Sequence, residues 1–206
     1  VTIAKPVSVP RNPNIKFTAV DSETEAKALA LVAEQCVSAA RQQTAHLVLV
    51  MTIPLGRKLE ELLGIEGVGC FFVNSKVRAQ PGGEALVDSE TRKWKLGTAS
   101  FVVLIATGNM CGLNHPELPA VDIVGSYGLM SAFQSALRPA RRAGQLGEAR
   151  FVRWPGWEQG AGVDPAKESS IPVLQASSFN GLFEPECLRY TLNAATESAE
   201  AAGRRC

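Results

Sequence analysis

The apolar runs of this chain are short, and their length is the strongest constraint on its fold. The two longest, residues 46–53 and 101–106, have the length of a β-strand. No run approaches the roughly 18 apolar residues that a transmembrane helix needs. The chain has 206 residues, 46% of them apolar, which is enough to bury a sizeable core. We therefore expect a globular protein with no membrane partner.

The composition excludes several other classes of protein. Lys and Arg number 21 against 20 Asp and Glu, for a formal net charge of +1. Such near-average values exclude a collagen-like repeat, a disulfide-dense miniprotein and a mostly disordered chain. The cysteines are odd in number and no Cys-x-x-Cys occurs, so reduced thiols in the cytoplasm are expected. These cysteines are Cys36, Cys70, Cys111, Cys187 and Cys206.

A capping box marks the start of the clearest helix. Ser22 stands at the N-cap position and Glu25 at the third helical position. Behind them, apolar residues from Ala26 to Ala40 recur at helical spacing. The pattern predicts a helix from Ser22 to about Gln43.

Strand and helix signals alternate irregularly along the rest of the chain, and no regular βαβ pattern indicates a parallel sheet. Residues 84–87 and 93–106 have the pattern of a hairpin that turns at residues 88–91. The sequence therefore predicts an α+β fold, a mostly antiparallel sheet with three or four packed helices. A β-sandwich with helical insertions is the alternative. Further strands are predicted at residues 46–53, 68–77, 121–124, 150–154 and 171–176, and helices at 57–63, 129–137 and 185–202.

The first 20 residues differ in composition from the rest. They contain three prolines and three basic residues, Lys5, Arg11 and Lys16, but no acid. Since proline fixes φ and removes a backbone donor, residues 1–20 are predicted to be an extended basic arm. An edge strand with a ragged terminus is the alternative. The remainder, 21–206, is then a single α+β domain that ends in a helix and a basic tail containing Arg204 and Arg205.

The two histidines limit any chemistry that depends on imidazole. His46 opens an apolar strand and is interpreted as structural. His115 lies in a Gly- and Pro-rich loop, four residues after Cys111, and is a candidate acid/base. A structural zinc site needs four ligands, and this pair supplies two. No metal or cofactor site is therefore predicted.

Phosphate-binding and nucleophile motifs are absent or incomplete. The chain has no Walker A pattern, and its Gly-x-Gly at residues 67–69 precedes a strand where a dinucleotide fingerprint would follow one. Ser126 lies in Val-Gly-Ser-Tyr-Gly, which departs from the Gly-x-Ser-x-Gly template, and no histidine follows it. A strand-to-helix turn explains these glycines better.

A cluster of arginines is the feature that stands above the background. Five arginines and a single acid, Glu148, give residues 138–153 a charge of +4. The arginine guanidinium suits phosphate, and tryptophan rings stack on single-stranded bases. We therefore predict a nucleic-acid-binding face. Its members are Arg138, Arg141, Arg142, Arg150, Arg153, Trp154 and Trp157, with Arg11 and Lys16 of the arm and Arg204 and Arg205 of the tail.

These features favour a self-associating structural protein that binds single-stranded RNA through its phosphates, without sequence preference. A capsid, nucleocapsid or ribonucleoprotein subunit fits, with copies of itself as further partners. Two other classes remain open. One is a small cytosolic enzyme with a pocket around residues 107–128 and His115 as its acid/base. The other is an interaction module anchored by Phe151, Trp154 and Trp157.

Overall fold

Seven strands and five helices are seen in the part of the chain that the computed structural model describes. This part comprises residues 2–3, 15–107, 115, 118–125 and 146–160. The strands are β1 (Thr2–Ile3), β2 (Ile15–Asp21), β3 (His46–Val50), β4 (Cys70–Val73), β5 (Val103–Thr107), β6 (Ala120–Val124) and β7 (Gly147–Arg153). The helices are α1 (Glu25–Arg41), α2 (Ile53–Ile65), α3 (Ser75–Arg78), α4 (Gly83–Lys95) and α5 (Trp157–Gly160).

The strands form one sheet in the order β1-β2-β7-β6-β3-β5-β4. The six strands β2, β7, β6, β3, β5 and β4 are all parallel to their neighbours in the sheet. The two-residue β1 is antiparallel to β2. The predicted mostly antiparallel sheet is therefore wrong, and so is the alternative β-sandwich. The described part of the chain has an α/β fold, in which six parallel strands and the short antiparallel β1 make up the sheet.

One cause of the error in fold class is a misread segment between β4 and β5. Residues 83–95 form helix α4, where the sequence predicted a strand, a turn and the start of a second strand. The helix buries a narrow stripe, Gly83, Val87 and Trp94, and exposes charged residues elsewhere, so its apolar signal is weak. With α4 present, the β4-to-β5 connection is a helical crossover, and such a connection joins parallel strands.

The predicted helix after Ser22 is present with a shifted cap. Thr24 is the N-cap of α1, and its side-chain oxygen accepts a hydrogen bond from the Lys27 backbone N–H. The Ser22 backbone N–H instead donates to the Arg153 carbonyl, 2.9 Å away, at the end of β7. The chain therefore leaves the sheet before the helix begins.

Helices α1 and α2 lie on one face of the sheet. Helix α1 connects β2 to β3, and α2 connects β3 to β4, so both connections cross the sheet in the same direction. Right-handed crossovers that run in the same direction place their helices on the same face of the sheet. An ion pair between Lys58 of α2 and Glu25 of α1 joins the two helices. The return from β4 to β5 places α4 on the opposite face.

The segment predicted as an N-terminal arm contains a strand of this sheet. Residues 15–20 belong to β2, whose Ile15 and Phe17 are buried in the core. Strand β2 pairs along its whole length with β7. The rest of the predicted arm, apart from β1, lies outside the described residues, as does the predicted C-terminal helix and tail.

Helix length and composition also bear on membranes. Within the described ranges, no helix combines the length and the apolar character that crossing a bilayer requires.

Two glycines of helix α2 give a matched test of the packing. A Cβ on Gly56 would lie 2.2 Å from Cζ of Phe72 in β4, whereas a Cβ on Gly64 meets nothing within 4 Å. We expect Gly56→Ala to destabilise the protein, because either the buried Phe72 ring or the helix must shift to make room for the methyl group. Gly64→Ala should stabilise it by about 0.5–1 kcal/mol through the lower helical propensity of glycine.

Urea unfolding of the two variants beside the wild type measures both effects. Equal free energies of unfolding for Gly56→Ala and Gly64→Ala would contradict the close packing of α2 on β4.

Candidate functional site at the carboxyl ends of the parallel strands

Strand order marks one place on this sheet for a ligand. From β3 the chain crosses towards β4, and from β6 it crosses in the opposite direction towards β7. Strands β3 and β6 are neighbours, so they flank a topological switch point. In open parallel sheets, ligands bind in the crevice outside the carboxyl ends of the strands at such a point. The ends of β3 and β6, at Val50 and Val124, are therefore the starting point of the site.

A buried charged group holds the strands on both sides of this switch point. Asp122 of β6 has no solvent exposure. Its carboxylate accepts two hydrogen bonds from Arg150 of β7, with Nε 2.6 Å from Oδ1 and Nη2 2.9 Å from Oδ2. His46 Nε2 of β3 lies 2.7 Å from the same Oδ2. One carboxylate thus links β7, β6 and β3.

The electrostatics of this group favour the charged pair. Burial raises the pKa of the Asp122 carboxyl, but the His46 hydrogen bond and the Arg150 guanidinium outweigh it and lower that pKa overall. Burial likewise opposes the charge on Arg150, and Asp122 restores it and raises the pKa of the guanidinium. The thiol of Cys36 on α1 has a raised pKa, first through burial and then through the Asp122 charge.

This buried group positions strands and does not itself reach a ligand. Asp122 has no exposure and Arg150 only 7%, so neither side chain meets solvent or substrate. In register, Asp122 pairs with Val48 on one side and with Arg150 on the other. The buried triad of Asp122, Arg150 and His46 therefore fixes the register of the strands that flank the switch point.

Helix starts and glycines shape the carboxyl edge above the triad. Thr52 caps α2 after β3, and its side chain accepts a hydrogen bond from the Leu55 backbone N–H, 3.3 Å away. Asn74 caps α3 after β4 in the same way, with Oδ1 3.0 Å from the Lys76 backbone N. Gly125 ends β6 with a φ of +58°, which glycine adopts without strain.

Most cations of this edge are neutralised by nearby acids. Arg57 pairs with Glu60 and Arg78 pairs with Glu84, both on the protein surface. Arg57 also lies over the ring of Phe72, 5.5 Å from its centroid. Lys76 of α3 is exposed, and within the described ranges it is the cation of this edge that has no ion pair.

The described basic residues of the predicted arginine face are each paired with an acidic side chain and do not form one surface. Arg150 lies under α1 and bonds to Asp122, so it is not available to phosphate. Arg153 lies on the other face of β7 and pairs with Asp21, with Nη2 3.0 Å from Oδ2. Lys16 remains half-exposed but pairs with Glu148 at 3.0 Å, near the opposite edge of the sheet.

The two tryptophans predicted as stacking platforms are core residues. Trp154 is 6% exposed and Trp157 is 1% exposed. Their rings pack inside the hydrophobic core, so neither can stack on a base in this conformation. The sequence pattern of Trp after Arg was compatible with either location, because tryptophan is common both in cores and at binding surfaces.

Six predicted site residues lie outside the described part of the chain: Arg11, Arg138, Arg141, Arg142, Arg204 and Arg205. Three of them, Arg138, Arg141 and Arg142, belong to residues 126–145, which connect the end of β6 to the start of β7. Their phosphate-binding role stays a prediction.

The other residues considered from the sequence are placed as follows. His46 is buried in β3 and belongs to the Asp122 group. His115 is buried against Trp94 of α4, with ring centroids 4.6 Å apart in an edge-to-face arrangement. Ser126 lies outside the described residues. Among those described, no cluster of three or more His, Cys, Asp and Glu side chains is arranged to hold a metal ion.

Two residues of this site were not found from the sequence. Asp122 gave no local signal, because its partners lie 28 and 76 positions away along the chain. Its one clue was a charge in the middle of an apolar strand, which usually means a buried partner. Lys76 gave none, since its exposure depends on the short helix after β4.

Known proteins resemble this chain in structure and not in sequence. Neither the protein-family models nor the curated proteins contain a match to it. Several solved structures do match. One is the E. coli DEAD-box protein SrmB bound to regulator of ribonuclease activity A, at 17% identity and a TM-score of 0.53, covering 67% of this chain and 76% of that one. Another is S. cerevisiae dbp5 bound to gle1 and ip6, at 16% identity and a TM-score of 0.59, covering 84% of this chain and 41% of that one. A third is Mss116p DEAD-box helicase domain 2 bound to an RNA duplex, at 14% identity and a TM-score of 0.53, covering 77% of this chain and 61% of that one.

These matches establish the fold. The six parallel strands and their helices form a Rossmann-like, RecA-type α/β arrangement, which this chain shares with these structures. The chain spans less than two thirds of the dbp5 and Mss116p chains that it matches.

The buried pair of Asp122 and Arg150 predicts that replacing one partner costs more stability than expected from replacing both. Asp122→Ala or Arg150→Ala leaves one buried charge without its partner and should destabilise the protein by about 3–5 kcal/mol. Asp122→Leu combined with Arg150→Met removes both charges and should cost less than the sum of the two single changes. Lys16→Ala breaks a surface pair and should change the unfolding free energy by less than about 1 kcal/mol.

Urea unfolding at pH 7 tests these values. Single replacements no more damaging than Lys16→Ala would contradict a structural role for the pair.

Acid should remove the contribution of Asp122. Its pKa is lower in the folded chain than in the unfolded one, where aspartate titrates near about 3.9. The contribution is therefore fully present above that value and is lost as the pH falls from there through the lower pKa of the folded chain. We expect the stability gap between the wild type and Asp122→Asn to be largest at pH 7 and to shrink below about pH 4.

Unfolding curves of both proteins at several pH values measure this gap. Acid titration common to both chains cancels in the difference, so a gap that widens in acid would contradict the assignment.

Proposed function

We propose that this chain is an RNA-binding domain of the helicase type, which binds single-stranded RNA along the carboxyl edge of its parallel sheet. The observation that carries the proposal is the shared sheet: the chain matches Mss116p DEAD-box helicase domain 2, which was solved bound to an RNA duplex, over 77% of its length. The topological switch point of this sheet supports its carboxyl edge as the binding surface, because ligands of open parallel sheets bind there.

Charge supports phosphate as the group that is recognised. Lys76 at this edge is exposed and has no ion pair among the described residues. Arg138, Arg141 and Arg142 belong to the connection that leaves the edge after β6. Arginine binds phosphate through two parallel N–H groups, and lysine does so as a point charge. We assign these four residues as the phosphate contacts, with no preference for base sequence.

The proposal concerns binding and not hydrolysis. A Walker A loop cradles the phosphates of a nucleotide in P-loop enzymes, and the 206 residues contain no such pattern. We therefore assign no nucleoside triphosphate hydrolysis to these residues alone. The structural neighbours lend no support to the capsid subunit that the sequence alone suggested.

Salt dependence of RNA binding tests the proposed contacts. Each phosphate contact on a single strand contributes about −0.7 to the slope of log K against log salt concentration. Arg141→Ala with Arg142→Ala should lower the magnitude of the slope by about 1.4, and Lys76→Ala by about 0.7. Fluorescence anisotropy of a labelled single-stranded RNA over a range of salt concentrations measures these slopes.

A matched control comes from the opposite edge of the sheet. Arg92 and Lys95 lie in the last turn of α4, away from the carboxyl ends. Arg92→Ala with Lys95→Ala removes the same charge and should leave the slope unchanged. Equal losses in the control and in Arg141→Ala/Arg142→Ala would show diffuse attraction to the whole molecule and overturn the assigned contacts.

A further inference from the structure

The crevice at the switch point is filled by the side chains of the protein itself. Gly125 ends β6 there, and a Cβ on it would lie 2.6 Å from Sδ of Met51 and 3.3 Å from Cε3 of Trp157. Met51 directly follows β3, so the sulfur and the indole occupy the space between the ends of the two strands. Trp157 is 1% exposed in this position.

A tight turn brings Trp157 back over the sheet. Strand β7 ends at Arg153, and the sequence continues Trp154-Pro155-Gly156-Trp157. The Trp157 backbone N–H donates to the Trp154 carbonyl at 3.2 Å, and Gly156 has a φ of +77°. Proline at the second position and a positive φ at the third are the features of a type II turn. This turn reverses the chain beside β7 and points it towards the end of β6.

The end of β6 is built to accept the ring. Gly125 has a positive φ and donates its backbone N–H to the Val152 carbonyl of β7, 2.9 Å away. A larger residue at this position would meet both Met51 and Trp157. The glycine, the sulfur and the indole therefore form one packed unit at the switch point.

We propose that Trp157 is a built-in plug, which fills the ligand position of the sheet and makes this chain exclude free bases and mononucleotides from it. The inference deepens the proposed function, on which its RNA part rests. With the crevice closed, a nucleic acid lies along the rim and is held by its phosphates, and no base enters between β3 and β6. Trp157 thereby sets specificity for the polymer backbone over the nucleotide.

The first experiment removes the plug and offers a substitute ring. Trp157→Ala should open a cavity of indole size, and such cavities bind the ring that was removed. Free indole should therefore raise the melting temperature of Trp157→Ala and leave the wild type unchanged. Trp94→Ala removes a fully buried tryptophan of α4 far from the switch point and should bind indole as well, so it controls for the cavity alone. Adenosine monophosphate should stabilise Trp157→Ala, whose cavity is the crevice, and should not stabilise Trp94→Ala. Failure of indole to stabilise folded Trp157→Ala, or equal stabilisation of the wild type, would overturn the plug.

A second measurement uses the wild-type chain and does not depend on the variant folding. The three tryptophans are labelled with 5-fluorotryptophan, and the fluorine resonance of Trp157 is assigned with Trp157→Phe. Adenosine monophosphate at millimolar concentration should leave that resonance in place. A saturable shift of the Trp157 signal with the mononucleotide would show that the crevice opens, and would overturn the proposal.

Single-stranded RNA separates this inference from the proposed function. RNA that binds and leaves the Trp157 resonance unchanged supports both. RNA that binds and shifts this resonance overturns the plug while the proposed function stands. If RNA does not bind, the proposed function fails, and the indole and mononucleotide experiments still decide whether Trp157 closes the crevice.

Discussion

The Asp122 carboxylate is the group on which the rest of the structure depends. It lies in the middle of a strand with no solvent exposure, and it is stable there because Arg150 and His46 surround it with donors from both neighbouring strands. The arrangement works in one register only. A slip of a single residue would turn Asp122 to the opposite face of the sheet, away from both partners. Because a buried carboxylate without its partners is strongly destabilising, Asp122 constrains the register of β3, β6 and β7, the strands around the switch point.

Alignment at the buried group fixes the geometry of the edge above it. In the same register, Val50, Val124 and Val152 are paired across the sheet, so β3 and β6 end at one level and β7 ends one residue further on. The segments that follow these strands start side by side, and this is why Met51, Gly125 and Trp157 pack together. The apolar centre of the edge is closed by these side chains, and the polar groups lie around it. This edge therefore presents charges on its rim and no open crevice between the ends of β3 and β6.

The sequence was sufficient for strands and helices whose burial follows a clear pattern. Strands β3 and β6 are mostly apolar and buried, and α1 carries a broad apolar stripe, so all three were predicted near their observed positions. Helix α4 was missed because its buried stripe is narrow and begins at a glycine. That error hid one crossover, since a hairpin joins antiparallel strands and a helical crossover joins parallel ones. Reading residues 15–20 as an arm hid a second crossover, from β2 through α1 to β3. Asp122 and its partners could not be found in the same way, because pairing over long sequence distances leaves no local pattern.

Charge counted along a sequence differs from charge presented at a surface. Arg150 and Arg153 are three residues apart in β7, and the alternation of a strand sends them to opposite faces. Each then meets an aspartate on a neighbouring strand, Asp122 of β6 or Asp21 of β2, and Glu148 of the same strand meets Lys16. Strand β7 is thus neutralised by its neighbours and adds no free positive charge to the carboxyl edge. The phosphate contacts of the proposed function therefore lie beyond the strand ends, and replacing them leaves the charged pairs of the sheet intact.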